Sequence, residues 1–354
     1  MTDTEQPLSG ITVVDLTTLL PGPLATRMLS EAGARVIKIE RPGGEDMRRF
    51  SPFHEGRSVL FEQLNQGKEL IEADLKSPQG RQQVEDLIAD ADVLVEQFRP
   101  GVMERMGLDY KALRERHPSL IYCSITGFGQ TGLRAQQAGH DLNYLAVSGL
   151  LAQSCGSASQ PVLPPTQIAD IGGGSMPAVI NILLALLHRQ KTGRGSHIDI
   201  AMTEAMFTFA IFAHAQWAAG NQVPEAGTGL LTGGSPRYRL YPTKDGRMVA
   251  VAALEEKFWQ SLCSLLEIPC HLRDDSRDPE QTARALAAAI QQRTGAEWAN
   301  VLAEADCCAT LVASFEEARR DPGFHGRALF GKESTGTTVD SAVLPIANQF
   351  RKPA

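Results

Sequence analysis

The sequence lacks the cysteine patterns that bind metal or build a disulfide framework. Its six cysteines contain no CxxC pair and no spacing with histidine that is typical of zinc ligands. We therefore expect no metal site, and a reducing compartment is the simplest interpretation. Aromatic residues make up only 6% of the chain, and 21% of the residues are charged, so the composition is that of an ordinary globular protein.

The chain also lacks an excess of positive charge. Its formal net charge of -7 argues against sequence-independent binding of nucleic acid, although a small anionic ligand remains possible. The polar start "MTDTEQPLSG" is unlike a signal peptide, and we expect no apolar run that reaches the length of a membrane span. The end "RKPA" is not a peroxisomal signal. The sequence thus predicts a cytoplasmic protein without a membrane partner.

The first forty residues alternate between strand and helix patterns. Residues 11–16 ("ITVVDL") and 34–40 ("ARVIKIE") are short and rich in β-branched residues, and the helical pattern of 20–33 between them ends at Gly33. Such a βαβ unit predicts a parallel sheet. Its first turn, "TTLLPGP", has no G-x-G-x-x-G, so NAD is not expected.

The alternation continues, which predicts two α/β domains. Further strands are expected at 91–98 and 120–128, and two long apolar helices at 172–193 and 201–220, buried between other elements or subunits. A hairpin with Asp245 and Gly246 at its turn opens a smaller domain. The predicted organisation is a large α/β domain with a Rossmann-like parallel sheet (1–220), a linker (221–236), a small α/β domain (237–325) and a return segment toward the large domain (326–354).

Three residues are candidates for catalysis, and each also has an ordinary structural explanation. His140 in "AGHDLNY" is weak evidence alone, because most histidines are structural or solvated. Asp170 in "ADIGGGSM" is either a helix N-cap or the acid of a site where three glycines let a ligand approach the backbone. Glu255 in "ALEEKFW" fits the charged first turn of a helix.

Three cations follow predicted strands. Arg41 and Arg99 each precede a proline, and Lys76 lies in "ADLKSP". They are either solvated loop residues or ligands for phosphate, because open α/β sheets bind ligands at the carboxyl ends of their strands.

Taken together, nine motifs spread from Leu8 to Phe330 resemble the family III CoA transferases, the CaiB/BaiF superfamily, and most of all its α-methylacyl-CoA racemase branch. The motifs are "LLPGPLAT", "IERPGG", "ADLKSP", "EQFRPGVMERMGL", "ITGFGQTG", "AGHDLNY", "ADIGGGSM", "GRGSHIDIAM" and "YPTKDGRMVAVAALEEKFW".

The resemblance implies a two-base site for inverting a 2-methylacyl-CoA through an enolate. His140, oriented by Glu255, serves one face of the α-carbon and Asp170 serves the other. The backbone amide of Asp141 stabilises the enolate oxygen, and its side chain is structural. Transferase members use the aspartate that matches Asp170 as a nucleophile and generally lack the histidine. A CoA transferase with an Asp170 acyl intermediate is therefore the alternative, and a CoA-thioester-binding paralogue without turnover is a third.

The resemblance also implies an interlocked homodimer, and CoA as part of the substrate rather than any metal or redox cofactor. Arg237 and Arg239 depart from the racemase pattern, which leaves the acyl group open. The positions on the expected CoA-binding face are Arg41, Ala73, Leu75, Lys76, Gln97 and Arg99.

Overall fold

The computed structural model describes residues 6–157, 159–327 and 343–351, and these form two compact units. The first comprises 6–148, 165–210 and 343–351, and the second the remaining described residues. The strands in chain order are β1 (Thr12–Leu16), β2 (Arg35–Glu40), β3 (Phe53–His54), β4 (Arg57–Ser58), β5 (Glu69–Glu72), β6 (Val93–Glu96), β7 (Ile121–Thr126), β8 (Gly156–Ser157), β9 (Gln160–Pro161), β10 (His197–Ala201), β11 (Tyr238–Pro242), β12 (Met248–Ala252) and β13 (Ala309–Leu311).

The α-helices follow the same order. They are α1 (Pro21–Glu31), α2 (Val59–Asn65), α3 (Pro78–Ala89), α4 (Val102–Met106), α5 (Tyr110–Arg116), α6 (Asp141–Val147), α7 (Met176–Thr192), α8 (Met202–Phe209), α9 (Ile211–Ala218), α10 (Glu256–Leu265), α11 (Pro279–Ile290), α12 (Gly295–Glu304), α13 (Phe315–Arg320) and α14 (Pro322–Gly326). Most of the predicted return segment, residues 328–342 and 352–354, lies outside the described residues.

The first unit is built on a six-stranded sheet in the order β10-β7-β6-β1-β2-β5, and every pairing in it is parallel. The central strands are buried over nearly their whole length, which explains their continuous apolar runs. The predicted α/β class and parallel sheet are confirmed.

The strand order reverses between β1 and β6. From β1 the chain builds outward through β2 to β5, and then returns to place β6 on the other side of β1 before β7 and β10. In open α/β sheets the crevice beyond the carboxyl ends of the strands at such a switch point is where ligands bind.

The segment between residues 169 and 192 starts with an irregular turn. Ala169–Ser175 is π-helical and leads directly into α7. A Cβ on Gly172 would lie 2.6 Å from the Phe209 ring, and one on Gly173 would lie 2.7 Å from the carbonyl oxygen of Met202. The glycines therefore allow close packing against α8, a different reason from the ligand approach considered above.

The two predicted apolar helices differ from the expectation. The second is not continuous, because α8 ends at Phe209 and α9 begins at Ile211. The first, taken as Ala169–Thr192, is long and apolar enough to cross a membrane by length and composition alone. A core or interface helix passes the same test, and 39% of the window is buried within the chain.

The second unit has its own core. Strands β11, β12 and β13 form an antiparallel sheet, and Trp259 of α10, Leu286 of α11 and Trp298 of α12 are buried in one apolar cluster with its residues. Helix α12 begins at a capping box in which Thr294 accepts the amide of Glu297. The hairpin predicted around Asp245 and Gly246 joins β11 to β12.

Candidate active site

A cavity of about 490 Å³ lies in the first unit beyond the carboxyl ends of β1, β6 and β7. Its position is the one expected of a ligand site at the switch point. The wall is mixed in character, with one carboxylate, one guanidinium and one imidazole among amides and apolar side chains. The residues that line it are Thr18, Leu19, Pro21, Gln97, Phe98, Arg99, Pro100, Ile125, Thr126, Gly127, Ala135, Gln137, Ala138, Gly139, His140, Asn143, Tyr144, Asp170 and Met202.

Asp170 contributes the carboxylate. It lies inside the π-helical turn rather than at its N-cap, so the N-cap explanation was wrong. Burial, with the negative charge of Asp141 nearby, raises the pKa of Asp170 to about 6, while His140 acts in the opposite direction. A carboxylate with a raised pKa in a cavity is well suited to exchange a proton near neutral pH.

His140 contributes the imidazole and lies at the N-cap position of α6. The backbone N–H of His140 donates to the side-chain Oδ1 of Asn143 at 3.0 Å, and its backbone carbonyl accepts the amide of Asn143 at 2.8 Å. These two bonds fix the backbone while the side chain is exposed. The structure therefore brings His140 and Asp170 to one cavity.

Asp141 and Tyr144 form hydrogen bonds to the backbone next to His140 and Asp170. The Asp141 carboxylate accepts the amides of Ala169 at 2.7 Å and Asp170 at 3.0 Å, which ties the start of α6 to the π-helical turn. The Tyr144 hydroxyl donates to the carbonyl of Gly139 at 2.6 Å, just before His140. Burial raises the pKa of Tyr144 to about 12, so it is neutral near pH 7. Tyr144 had no distinguishing signal in the sequence.

The residues expected on the CoA-binding face follow β2, β5 and β6, so the fold places them at one edge of the sheet. Arg99 and Gln97 both line the cavity. Arg99 is exposed, and the side-chain Oε1 of Gln97 accepts the amide of Gly22 at 3.1 Å, which supports the first turn. Arg41 is exposed and forms a 2.6 Å ion pair with Asp46.

The remaining members of that set belong to the end of β5. Ala73 is buried and donates its amide to the carbonyl of Glu40 at 2.9 Å, which joins this loop to the end of β2. Leu75 is half-buried and Lys76 is exposed, and the carbonyls of both accept from the Arg81 side chain.

Glu255 belongs to the second unit, where it is the N-cap residue of α10. Its side chain is exposed and makes no capping hydrogen bond, but its negative charge at the start of the helix agrees with the expected interaction with the helix dipole. The nearby Arg237, one of the departures from the racemase pattern, is already paired with Asp275 at 2.8 Å and Glu256 at 2.9 Å. Its charge is therefore balanced within this unit.

Sequence reasoning missed a set of buried charges beneath the first turn of the sheet. Asp15, Lys38 and Glu45 are each at most 3% exposed. The signal was present, because an aspartate inside "TVVDL" and a lysine inside "RVIKIE" interrupt buried strands, where a charge is costly unless it is paired. Within the described ranges, no three His, Cys, Asp or Glu side chains are grouped so that they could hold a metal ion.

The fold and the cavity define an α/β enzyme with a Rossmann-like sheet and a ligand site at the switch point. Residues 8–352 match the model of CoA-transferase family III. The chain belongs to this family, and with it to the CoA-transferase and racemase superfamily of enzymes.

Individual relatives include both kinds of enzyme. The chain is 36% identical to the α-methylacyl-CoA racemase of Homo sapiens over 316 residues, which cover 88% of this chain and 78% of that protein. It is 34% identical to the succinyl-CoA:glutarate CoA-transferase of Mus musculus over 308 residues, 84% of this chain and 70% of the relative. Among solved structures, a CaiB/BaiF family protein from Brucella suis is 31% identical, with a TM-score of 0.82 over 97% of this chain and 93% of that one.

Proposed function

We propose that the protein is a racemase or epimerase of 2-methylacyl-CoA thioesters that works by two-base transfer of the α-proton. One group removes the α-hydrogen as a proton, which leaves a thioester enolate, and a second group returns a proton to the opposite face. No net oxidation occurs and no group is transferred. His140 and Asp170 are the two groups.

The observation that carries this proposal is that His140 and Asp170 line one cavity while the pKa of Asp170 is raised to about 6. A base whose pKa lies near the working pH accepts and returns a proton with little energetic penalty. An ordinary carboxylate would be too weak a base for the same step.

The developing enolate oxygen needs a hydrogen-bond donor. Asp141 is the first residue of α6, and the first amides of a helix have no partner within it. Because the positive end of the helix dipole also lies there, the Asp141 amide is well suited to stabilise an oxyanion. The role of Glu255 in orienting His140 remains a prediction from the family resemblance.

CoA is proposed as the carrier of the acyl group. Arg99 lines the cavity, and Arg41 and Lys76 lie on the same edge of the sheet with exposed side chains, where phosphates remain in contact with solvent. No metal or redox cofactor is needed for the proposed steps.

The test is exchange of the α-hydrogen of an (R)-2-methylacyl-CoA in deuterated water. We expect the wild type to exchange it, and His140→Ala to lose exchange by about 10³-fold while still binding CoA. His271→Ala, an exposed histidine of the second unit, is the matched control and should retain exchange. Absence of exchange by the wild type across several acyl chains would contradict the proposal.

The alternative is a CoA transferase, and the similarity to succinyl-CoA:glutarate CoA-transferase favours it specifically. In that reaction the Asp170 carboxylate attacks the thioester carbonyl, CoA leaves as the thiolate, and an acyl anhydride forms on the enzyme. Hydroxylamine added with an acyl-CoA would then modify Asp170, and His140→Ala would not prevent it. An unmodified Asp170 peptide would exclude this alternative.

We further propose that the protein is a homodimer. The α7 helix exposes Ile180, Leu184 and Leu187, each by more than half, and α8 exposes Phe207 by 58%. Large apolar side chains exposed on successive turns of one helix are typical of an obligate interface. Light scattering after size exclusion should give twice the chain mass, and a monomer at micromolar concentration would contradict this proposal.

A further inference from the structure

Leu19 has a backbone conformation that leucine rarely adopts. Its φ is 63°, in the left-handed region where a Cβ is unfavourable, and it lies in the turn between β1 and α1. A conformation of this kind persists only when its surroundings impose it, and such residues cluster at functional sites. Leu19 lines the site cavity.

Buried charged groups impose this conformation. The amide of Leu19 donates to Oε2 of Glu45 at 2.7 Å, and Oε1 of Glu45 lies 3.0 Å from Nζ of Lys38. Lys38 also donates to the carbonyl of Thr17 at 2.6 Å. The Lys38 and Glu45 side chains are 0% and 2% exposed, so solvent does not weaken the pair. We call Lys38 and Glu45 the clamp.

A second buried pair fixes the two ends of the same turn. Asp15 accepts the amide of Thr17 at 2.9 Å, and its other oxygen lies 3.1 Å from Nζ of Lys68. Lys68 in turn donates to the carbonyl of Pro23 at 2.9 Å. The turn from Thr17 to Pro23 is thus anchored at its start, its middle and its end by charges that are all buried.

Leu19 contacts both the cavity and an apolar cluster. It packs, partly buried, against Met47, Phe61 and Leu64, and it also lines the cavity. Leu20 packs against the same cluster but does not line the cavity. Two adjacent leucines therefore share their packing and differ in access to the site.

We propose that Leu19 is a specificity-determining residue that limits the acyl groups this site accepts, and that Glu45 is the residue that positions it. The inference rests on the proposed function only in taking the ligand to be an acyl-CoA thioester. An apolar acyl chain gains from contact with leucine, and a fixed wall excludes chains that are too bulky for the remaining space. Without the clamp, the turn could relax to a conformation that withdraws this wall.

The first experiment compares Leu19→Ala with Leu20→Ala as its matched control. For each protein, kcat/KM for α-proton exchange is measured with one short and one long 2-methylacyl-CoA, and the long-to-short ratio is calculated. We expect the ratio to rise at least about tenfold in Leu19→Ala, since a pocket discriminates by about 10- to 200-fold per methylene. Leu20→Ala should leave the ratio within about twofold. An unchanged ratio in Leu19→Ala, or an equal rise in both variants, would overturn the proposal.

The second experiment tests the clamp. The double variant Lys38→Met with Glu45→Leu removes both charges together and so leaves no buried charge unpaired. Its long-to-short ratio should rise, as it does in Leu19→Ala. A ratio like that of the wild type in the folded double variant would contradict the role of Glu45. If the double variant does not fold, the comparison of the two leucines still decides the role of Leu19.

Calorimetric titration with the same two thioesters separates this inference from the proposed function. If the wild type binds neither thioester, the proposed function fails and the inference fails with it. If the wild type binds them but does not exchange the α-hydrogen, racemisation is excluded while the acyl-chain dependence of Kd still tests Leu19. Equal chain dependence in the wild type and Leu19→Ala would overturn the inference alone.

Discussion

The Asp141 carboxylate accepts the backbone amides of Ala169 and of Asp170, at 2.7 and 3.0 Å. One acidic side chain at the start of α6 therefore fixes the backbone of another acidic residue 29 positions away. The same negative charge also contributes to raising the pKa of Asp170. Asp141 thus affects both where the Asp170 carboxyl lies and when it carries a proton.

Substitutions at Asp141 separate these two effects. Asp141→Asn keeps an oxygen that can accept both amides but removes the charge, so the pKa of Asp170 should fall. The acidic limb of the pH profile of kcat/KM should then move to lower pH, with kcat little changed. Asp141→Ala also removes the two bonds and should lower kcat by about 10²-fold, the cost of a misplacement of about 1 Å. Identical pH profiles for the wild type and Asp141→Asn would contradict the effect of the Asp141 charge on the pKa of Asp170.

The raised pKa of Asp170 predicts the pH dependence of activity. Below about pH 6 the carboxyl is protonated, and it cannot act as a base or as a nucleophile. In the direction in which Asp170 removes the α-proton, we therefore expect kcat/KM to fall tenfold per pH unit well below pH 6. Asp170→Asn should abolish net inversion at every pH, because one face of the α-carbon then has no acid or base. If the acidic limb of the wild-type kcat/KM profile has its midpoint near pH 4 instead, the Asp170 carboxyl is not desolvated as the structure indicates.

Much of the fold was predictable because buried parallel strands leave a strong pattern. The runs around β1, β2, β6 and β7 were recognisable from their β-branched residues, and the motifs that follow them fall at one edge of the sheet. That His140 and Asp170 share a cavity followed from family resemblance and not from any local pattern. The number of residues between two positions in the sequence does not show whether the fold brings them to the same cavity.

Other features depend on packing that no local pattern encodes. The π-helical turn around Asp170 replaces the expected N-cap because three glycines allow α8 to approach closely. The break at Ala210 interrupts a stretch that contains no proline and has glycine only at its end, Gly220. The left-handed Leu19 was also unpredictable, because a leucine adopts this conformation only when distant residues such as Glu45 hold it.

A buried glutamate outside the proposed machinery should make stability depend on pH. Glu96 is 3% exposed, and burial raises its pKa to about 7, although a hydrogen bond from the amide of Phe98 opposes the shift. The folded state therefore holds a proton that the unfolded state releases above about pH 4.5. The free energy of unfolding should fall as pH rises from about 4.5 to 7, by about 3 kcal/mol in total, and then stay level.

Glu96→Gln tests this expectation, because the amide does not ionise. Urea unfolding at pH 5 and pH 8 should show that the variant loses most of the difference between the two conditions. The remaining pH dependence should include Asp170, whose raised pKa acts in the same direction, and His197, whose lowered pKa acts in the opposite direction. Glu304→Gln, at an exposed glutamate of the second unit, is the control and should behave like the wild type. If the stability of Glu96→Gln depends on pH as strongly as that of the wild type, Glu96 is not the source of the pH dependence.

The close packing at Gly173 predicts a loss of stability on addition of a single methyl group. A Cβ there would lie 2.7 Å from both the carbonyl oxygen of Met202 and the terminal carbon of Met206. The Met206 side chain can move, but the backbone of Met202 cannot move without shifting the start of α8. Gly173→Ala should therefore lower the free energy of unfolding by about 1–3 kcal/mol.

The matched control for this substitution is Gly326→Ala, where a new Cβ would meet nothing within 4 Å. It should be neutral or slightly stabilising, because alanine restricts the unfolded chain. Urea denaturation with unchanged m-values would show that both variants expose the same surface on unfolding as the wild type and differ from it only in stability. Equal stability of the two variants would mean that the π-helical turn adjusts to the methyl group. The position of Asp170 would then not depend on the packing of its glycines.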